Sequence, residues 1–93
     1  MTTKAEHRRL ARVAELPCIA CTRLGLGETP AQVHHIREGR IGRHHGLTIP
    51  LCPAHHTGWH FSIHHDKEAL LRLLKVGSEF DLLADVNIML EAI

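Results

Sequence analysis

Histidine dominates the chemistry available to this chain. Ten of its 93 residues are histidine, and eight stand in doublets: His34-His35, His44-His45, His55-His56 and His64-His65. Imidazole titrates near neutrality and is a common metal ligand, so such an excess points to metal binding or proton transfer. The doublets lie dispersed through the interior of the sequence, which excludes a terminal purification run. All three cysteines fall in short hooks, Cys18-x-x-Cys21 and, with a histidine, Cys52-x-x-His55. Two hooks, each offering two ligands across two residues, are the usual frame of a tetrahedral zinc site. The set Cys18, Cys21, Cys52 and His55 leaves no coordination position open, which is the structural kind of site, and it leaves no thiol over. His56 competes for the fourth place, but the two-residue gap favours His55.

A second constellation remains after the hooks are assigned. His56, His60 and His64 recur every four residues and would share one face of a continuous helix, while His34-His35 ends a predicted strand. Histidines from a strand and a helix can converge on one divalent ion and leave it positions for water and a phosphate oxygen. That set suits phosphodiester hydrolysis, where a metal stabilises developing charge and a neighbouring imidazole takes a proton from water. Successive side chains leave a strand on opposite sides, so a doublet can offer one ring to the metal and one to the water. The turn REGRIGRHHG carries Arg37, Arg40 and Arg43 against Glu38, and guanidinium groups pair well with backbone phosphates. A net charge of +1 excludes a globally basic nucleic-acid binder, so contact with DNA must be local. Trp59, Phe61 and Phe80 are the only aromatic side chains of the phenylalanine, tryptophan and tyrosine class. They offer little stacking surface for single strands, and little sequence specificity is expected.

The elements that must position these residues follow from caps and periodicity. Thr3-x-x-Glu6 reads as a capping box opening a helix over about 4–15, stopped before Pro17. A loop over 17–30 carries the first hook. Strands over 31–36 and 47–51 flank the basic turn, with Pro50 placing the second at a sheet edge. Pro53 begins a helical turn through His55 and His56 towards His60. Asp66 caps a helix over 67–75 ended by Gly77, and Ser78 caps a last helix whose Phe80, Leu82, Leu83, Val86, Ile88, Met89 and Leu90 mostly face the core. The fold class is α+β in one domain spanning 1–93, with a core over about 17–65 and supporting helices over about 66–93. The charged opening MTTKAEHRRLARVAE lacks an apolar run, and no stretch reaches the roughly twenty apolar residues of a membrane span. A cytoplasmic protein with reduced, metal-binding cysteines is expected.

The order CxxC, HHI, hairpin, PLCxxHH resembles the HNH (ββα-metal) endonucleases. VHHIREGRIGRHHGLTIPLCPAHHTG is similar, more closely, to the phage Ref family of recombination-enhancement nucleases, with further likeness in SIHHDKEAL and GSEFDLL. Together these cover about residues 17–83. The resemblance implies a ββα core braced by structural Zn²⁺ and one divalent active-site metal, Mg²⁺, Mn²⁺ or Zn²⁺. It makes His34 and His56 ligands of that metal and His35 the general base. The last ligand is His60 by simple HNH spacing and His64 by the Ref-like pattern, which is favoured. HHGLTI lacks the middle asparagine of HNH, and His45 stands at the matching place; three roles stay open for His44-His45, a phosphate contact, an auxiliary of the site, or exposed residues of the turn. The resemblance further implies a DNA endonuclease of phage or prophage origin leaving 5′ phosphate and 3′ hydroxyl. Its setting would be the cytoplasm of a bacterial host, with a RecA-type filament as partner. Oligomeric state is not set by these residues. Two other readings compete: a non-catalytic zinc module that binds DNA or protein, and a histidine-rich metal buffer. The His34-His35 doublet and His56 lie outside the four zinc ligands that a binding module needs.

Overall fold

A computed structural model describes residues 3–37 and 44–92. The first helix, α1 (Lys4–Glu15), starts with the expected capping box: Thr3 Oγ1 accepts from the Glu6 N–H, and Glu6 Oε1 accepts from the Thr3 N–H, both at 3.1 Å. Pro17 follows, and the chain then makes a short second helix, α2 (Ile19–Arg23), inside the segment read as a loop. Five residues with Ile19 and Thr22 among them give little periodic signal. What starts this helix is Cys18, whose sulfur accepts from the Cys21 N–H at 3.4 Å.

Strands β1 (Gln32–His35) and β2 (Thr48–Leu51) pair antiparallel, with His34 opposite Ile49 and Val33 opposite Pro50. In the same register the Ile36 N–H donates to the Leu47 carbonyl at 2.8 Å. The hydrogen-bonded pairs therefore fall on alternate residues, and Pro50 occupies a position whose nitrogen faces away from β1. That is how a buried proline sits in the sheet without breaking it. Every residue of β2 is buried, because α1 and α4 (Glu79–Glu91) both pack against it.

Helix α3 (Lys67–Leu74) is capped by Asp66, as expected, but it ends before Gly77. Lys75 closes it in the left-handed region at φ 60°, which for a residue with a Cβ costs about 1–2 kcal/mol. Ser78 and Asp81 form a capping box on α4. Leu82, Leu83, Val86 and Leu90 enter the core, and Phe80 and Met89 pack on it. Ile88 departs from the expectation and is 64% exposed, since its step along the helix turns it away from the stripe. Each fully buried aliphatic chain here contributes about 1.5–3 kcal/mol.

Arginines tie the helices to the sheet. Arg9 donates to Thr48 Oγ1 at 3.1 Å, to the Thr48 carbonyl at 3.0 Å and to Asn87 Oδ1 at 2.9 Å. Arg12 donates to the Leu90 carbonyl. Arg23 reaches the Leu74 carbonyl that α3 leaves unpaired and meets Asp85 at 2.6 Å. Among the described residues no helix is long and apolar enough to cross a membrane.

Candidate active site and metal centres

The two predicted hooks meet. Cys18 and Cys21 flank the start of α2, Cys52 follows β2, and His55 sits in a wide π-helical turn, Ala54–Gly58. All four side chains are buried. Cys21 Sγ lies 3.8 Å from Cys52 Sγ, and His55 Nδ1 lies 3.2, 3.5 and 3.7 Å from Cys52, Cys21 and Cys18. Tetrahedral zinc with its usual bond lengths spaces two sulfurs about 3.8 Å apart and a sulfur and a nitrogen about 3.6 Å apart. The donor set and its spacing therefore fit a closed metal site. Burial, with Cys52 and Cys21 adding to it and backbone N–H groups opposing, pushes the Cys18 thiol up to about 12. Burial holds His55 below its ordinary value, so it stays neutral. A cation bound here displaces thiol protons and recovers the cost of crowding three sulfurs.

The second cluster joins His34, His56 and His64, with one ligand atom from each within 4.8 Å of the others. His34 comes from β1 and His56 from the π turn. His64 arrives by a route that helical spacing does not describe. A continuous helix would separate residues eight apart by about 12 Å along its axis, yet His56 Nε2 and His64 Nε2 are 3.2 Å apart. The turn ends at Gly58, where Trp59 becomes extended. The chain then doubles back, the Ile63 N–H donating to the His55 carbonyl at 2.8 Å and the His64 N–H to the His56 carbonyl at 3.2 Å. Buried Ile63 anchors the return in the core. Two nitrogens on one tetrahedral zinc lie about 3.3 Å apart, close to the His56–His64 spacing. His60 is not in this cluster: it is exposed and packs its ring against Trp59 and Phe61 at 5.3 and 4.3 Å.

Outer contacts orient two of the three rings. His56 Nδ1 meets Gln32 Oε1 at 2.8 Å, and His34 Nε2 meets Glu79 Oε1 at 2.8 Å. Neither Gln32 nor Glu79 is singled out by the sequence reading. Gln32 could have been found from strand alternation, being two residues before His34 on the same side; Glu79, 45 residues away, had no signal. Burial, then the charges of neighbouring histidines, holds His56 low; His64 is lowered by burial and His34, with Glu79 opposing. These rings stay in the neutral, ligating form to a lower pH than free imidazole.

A cleft of about 250 Å³ opens on this cluster, lined by Val33, His34, His35, Arg37, His56 and His64. His35 thus shares the space of the three rings. Its Nε2 lies 3.0 Å from His45 Nδ1. His44, the other half of that doublet, accepts from the Gly46 N–H at 2.9 Å and serves the turn. Arg37 lines the cleft, whereas Arg40 and Arg43 fall outside the described residues. A larger groove, about 490 Å³, runs between α1 and α4 past Arg8, Arg9 and Arg12. Among the described residues it holds no cluster of candidate metal ligands, and Arg9 and Arg12 are engaged with Thr48, Asn87 and Leu90, so the smaller cleft is the candidate for chemistry.

Residues 2–79 match the family described as recombination enhancement, RecA-dependent nuclease. The chain belongs to this family. The matched span includes both clusters of candidate metal ligands and His35, and membership makes the protein a nuclease. The Ref-family likeness of the sequence therefore holds, and the non-catalytic module loses its support. No curated protein matches the chain.

Proposed function

We infer that this nuclease is a metal-dependent DNA endonuclease of the HNH type. His34, His56 and His64 hold one divalent ion, His35 is the general base, and a zinc on Cys18, Cys21, Cys52 and His55 braces the fold. The observation that carries this reading is the cleft in which three clustered imidazoles and a fourth, His35, face one space beside Arg37. A divalent ion held there by His34, His56 and His64 would supply charge stabilisation for the phosphorane and the departing 3′ oxygen. Arg37 pairs with a phosphate of the strand and sets it across the cleft, with Arg40 and Arg43 extending that contact. His35 takes a proton from the attacking water. The imidazolium so formed donates from Nε2 to His45, which holds the ring in place. His45 is then the auxiliary of the site. The products are a 5′ phosphate and a 3′ hydroxyl.

The family's description supports a RecA filament as the partner that licenses cutting. The reading also includes phage or prophage origin and action in the host cytoplasm.

Nicking of supercoiled plasmid by the purified protein, with and without RecA filaments, tests the activity. Cutting in Mg²⁺ or Mn²⁺ should stop with excess EDTA, and His35→Ala should slow it by about 10²–10⁴-fold, the usual worth of a general base. Undiminished cutting by that variant would remove His35 from its role.

A further inference from the structure

Glu79 is the buried charge that the proposed chemistry leaves unused. Its side chain is 2% exposed, and it opens α4 directly after the Ser78 cap. Oε1 accepts from His34 Nε2 at 2.8 Å, and Oε2 lies 3.6 Å from Lys67 Nζ on the first residue of α3. An acidic residue in the first turn of a helix is favourable in itself, but that role needs no burial. The exposed Asp81 already fills it, accepting from the N–H groups of Gly77 and Ser78 at 2.8 and 3.2 Å. Withdrawing a carboxylate from water is costly unless it is paired and hydrogen-bonded. Here the partners are one imidazole of the His34–His56–His64 cluster and one ammonium.

We propose that Glu79 is a positioning residue for a divalent cation bound by His34, His56 and His64; this rests on the metal reading above. A carboxylate only accepts, so His34 carries its hydrogen on Nε2 and presents Nδ1 to the ion. The outer partner thereby fixes tautomer and ring orientation and strengthens the ligand. His56 is held in the opposite sense: Gln32 takes its Nδ1 and Nε2 is left beside His64. Glu79 adds a negative charge next to three neutral ligands, while Lys67 limits that charge when no cation is bound.

The test reads ring nitrogens directly. In ¹⁵N-labelled protein saturated with Zn²⁺, long-range proton–nitrogen correlation separates protonated from metal-bound imidazole nitrogens. His34 should show metal on Nδ1 and hydrogen on Nε2, and His56 the reverse. Glu79→Gln keeps the shape and an acceptor but loses the charge; Glu79→Ala loses all three. Affinity for the second zinc ion should fall about tenfold in the first and about a hundredfold in the second, the range typical of lost outer-shell partners. The first ion should bind as in the parent. Metal on His34 Nε2, or parental affinity in both variants, would overturn the assignment. Were Glu79→Ala not to fold, the parent spectrum and the isosteric Gln variant still decide. A parent protein in which none of the three histidines shifts would defeat the metal reading of the cluster itself, and that result is visible before any substitution.

Discussion

The π turn supplies neighbouring residues to two different clusters. His55 joins three buried thiols, and His56, one step on, joins two other imidazoles at the mouth of a cleft. The first site is closed, with four donors spaced for one tetrahedral ion and its members in the core. The second offers three donors, one of them exposed, and leaves room for other ligands. Closed coordination suits holding a fold together, and open coordination suits chemistry. Because one turn feeds both, the dependence between them runs one way. On the proposed reading, an ion on the thiol site would fix the turn that aims His56, whereas the histidine site would need the fold and would not make it.

That asymmetry can be broken most forcefully at Cys21. Metal binding in small zinc domains is worth about 10–16 kcal/mol, as much as the whole stability of an ordinary domain at about 5–15 kcal/mol. Cys21→Ser should therefore abolish the cooperative thermal transition and the binding of both ions. A folded, zinc-free variant would contradict the structural role. His64→Ala should be milder in its reach: the fold and the first ion stay, the second ion is lost and cleavage goes with it. His60→Ala, by contrast, should bind two ions and cut like the parent, since among the described residues His60 packs its ring with Trp59 and Phe61, outside both clusters. Metal analysis of these two variants separates the rival ligands.

The smallest expected effect concerns acid. Burial holds His56 and His64 below the ordinary imidazole value in the folded protein. At pH values under that of free imidazole the unfolded chain then binds more protons than the folded one, so stability of the protein carrying one equivalent of Zn²⁺ falls as pH drops through this range. Equilibrium unfolding with one equivalent of Zn²⁺ at pH 8, 6.5 and 5 should give steadily lower midpoints. His64 is largely exposed, which limits its share. A midpoint that rises towards pH 5 would show that these rings are not held neutral by burial.

Much of this arrangement is legible from the chain. The hooks at Cys18, Cys21, Cys52 and His55 follow from spacing alone, because ligands two residues apart on a turn need little tertiary help to converge. The caps at Thr3, Asp66 and Ser78 are equally local. His64 is different. Its four-residue spacing from His60 suggests one helix, but Gly58 stops that helix and Ile63, pulled into the core, turns the chain back. Which of His60 and His64 lies beside His34 and His56 is thus set by a tertiary preference, which periodicity does not carry. The left-handed stop at Lys75 and the short α2 were hidden because each rests on few residues against propensity. Glu79 was hidden for another reason: in sequence it is one more acid at a helix start, and only packing of α4 against the sheet brings it to His34.

The claim that one centre builds and the other cuts is tested most directly by titrating metal into the apo protein. Folding, by circular dichroism, and plasmid nicking should be followed in the same samples. The account predicts that the fold is complete at one equivalent of Zn²⁺ and that nicking, with RecA filaments if they are required, begins only as the second site fills. Full nicking at one equivalent, or a fold that waits for the second, would contradict it.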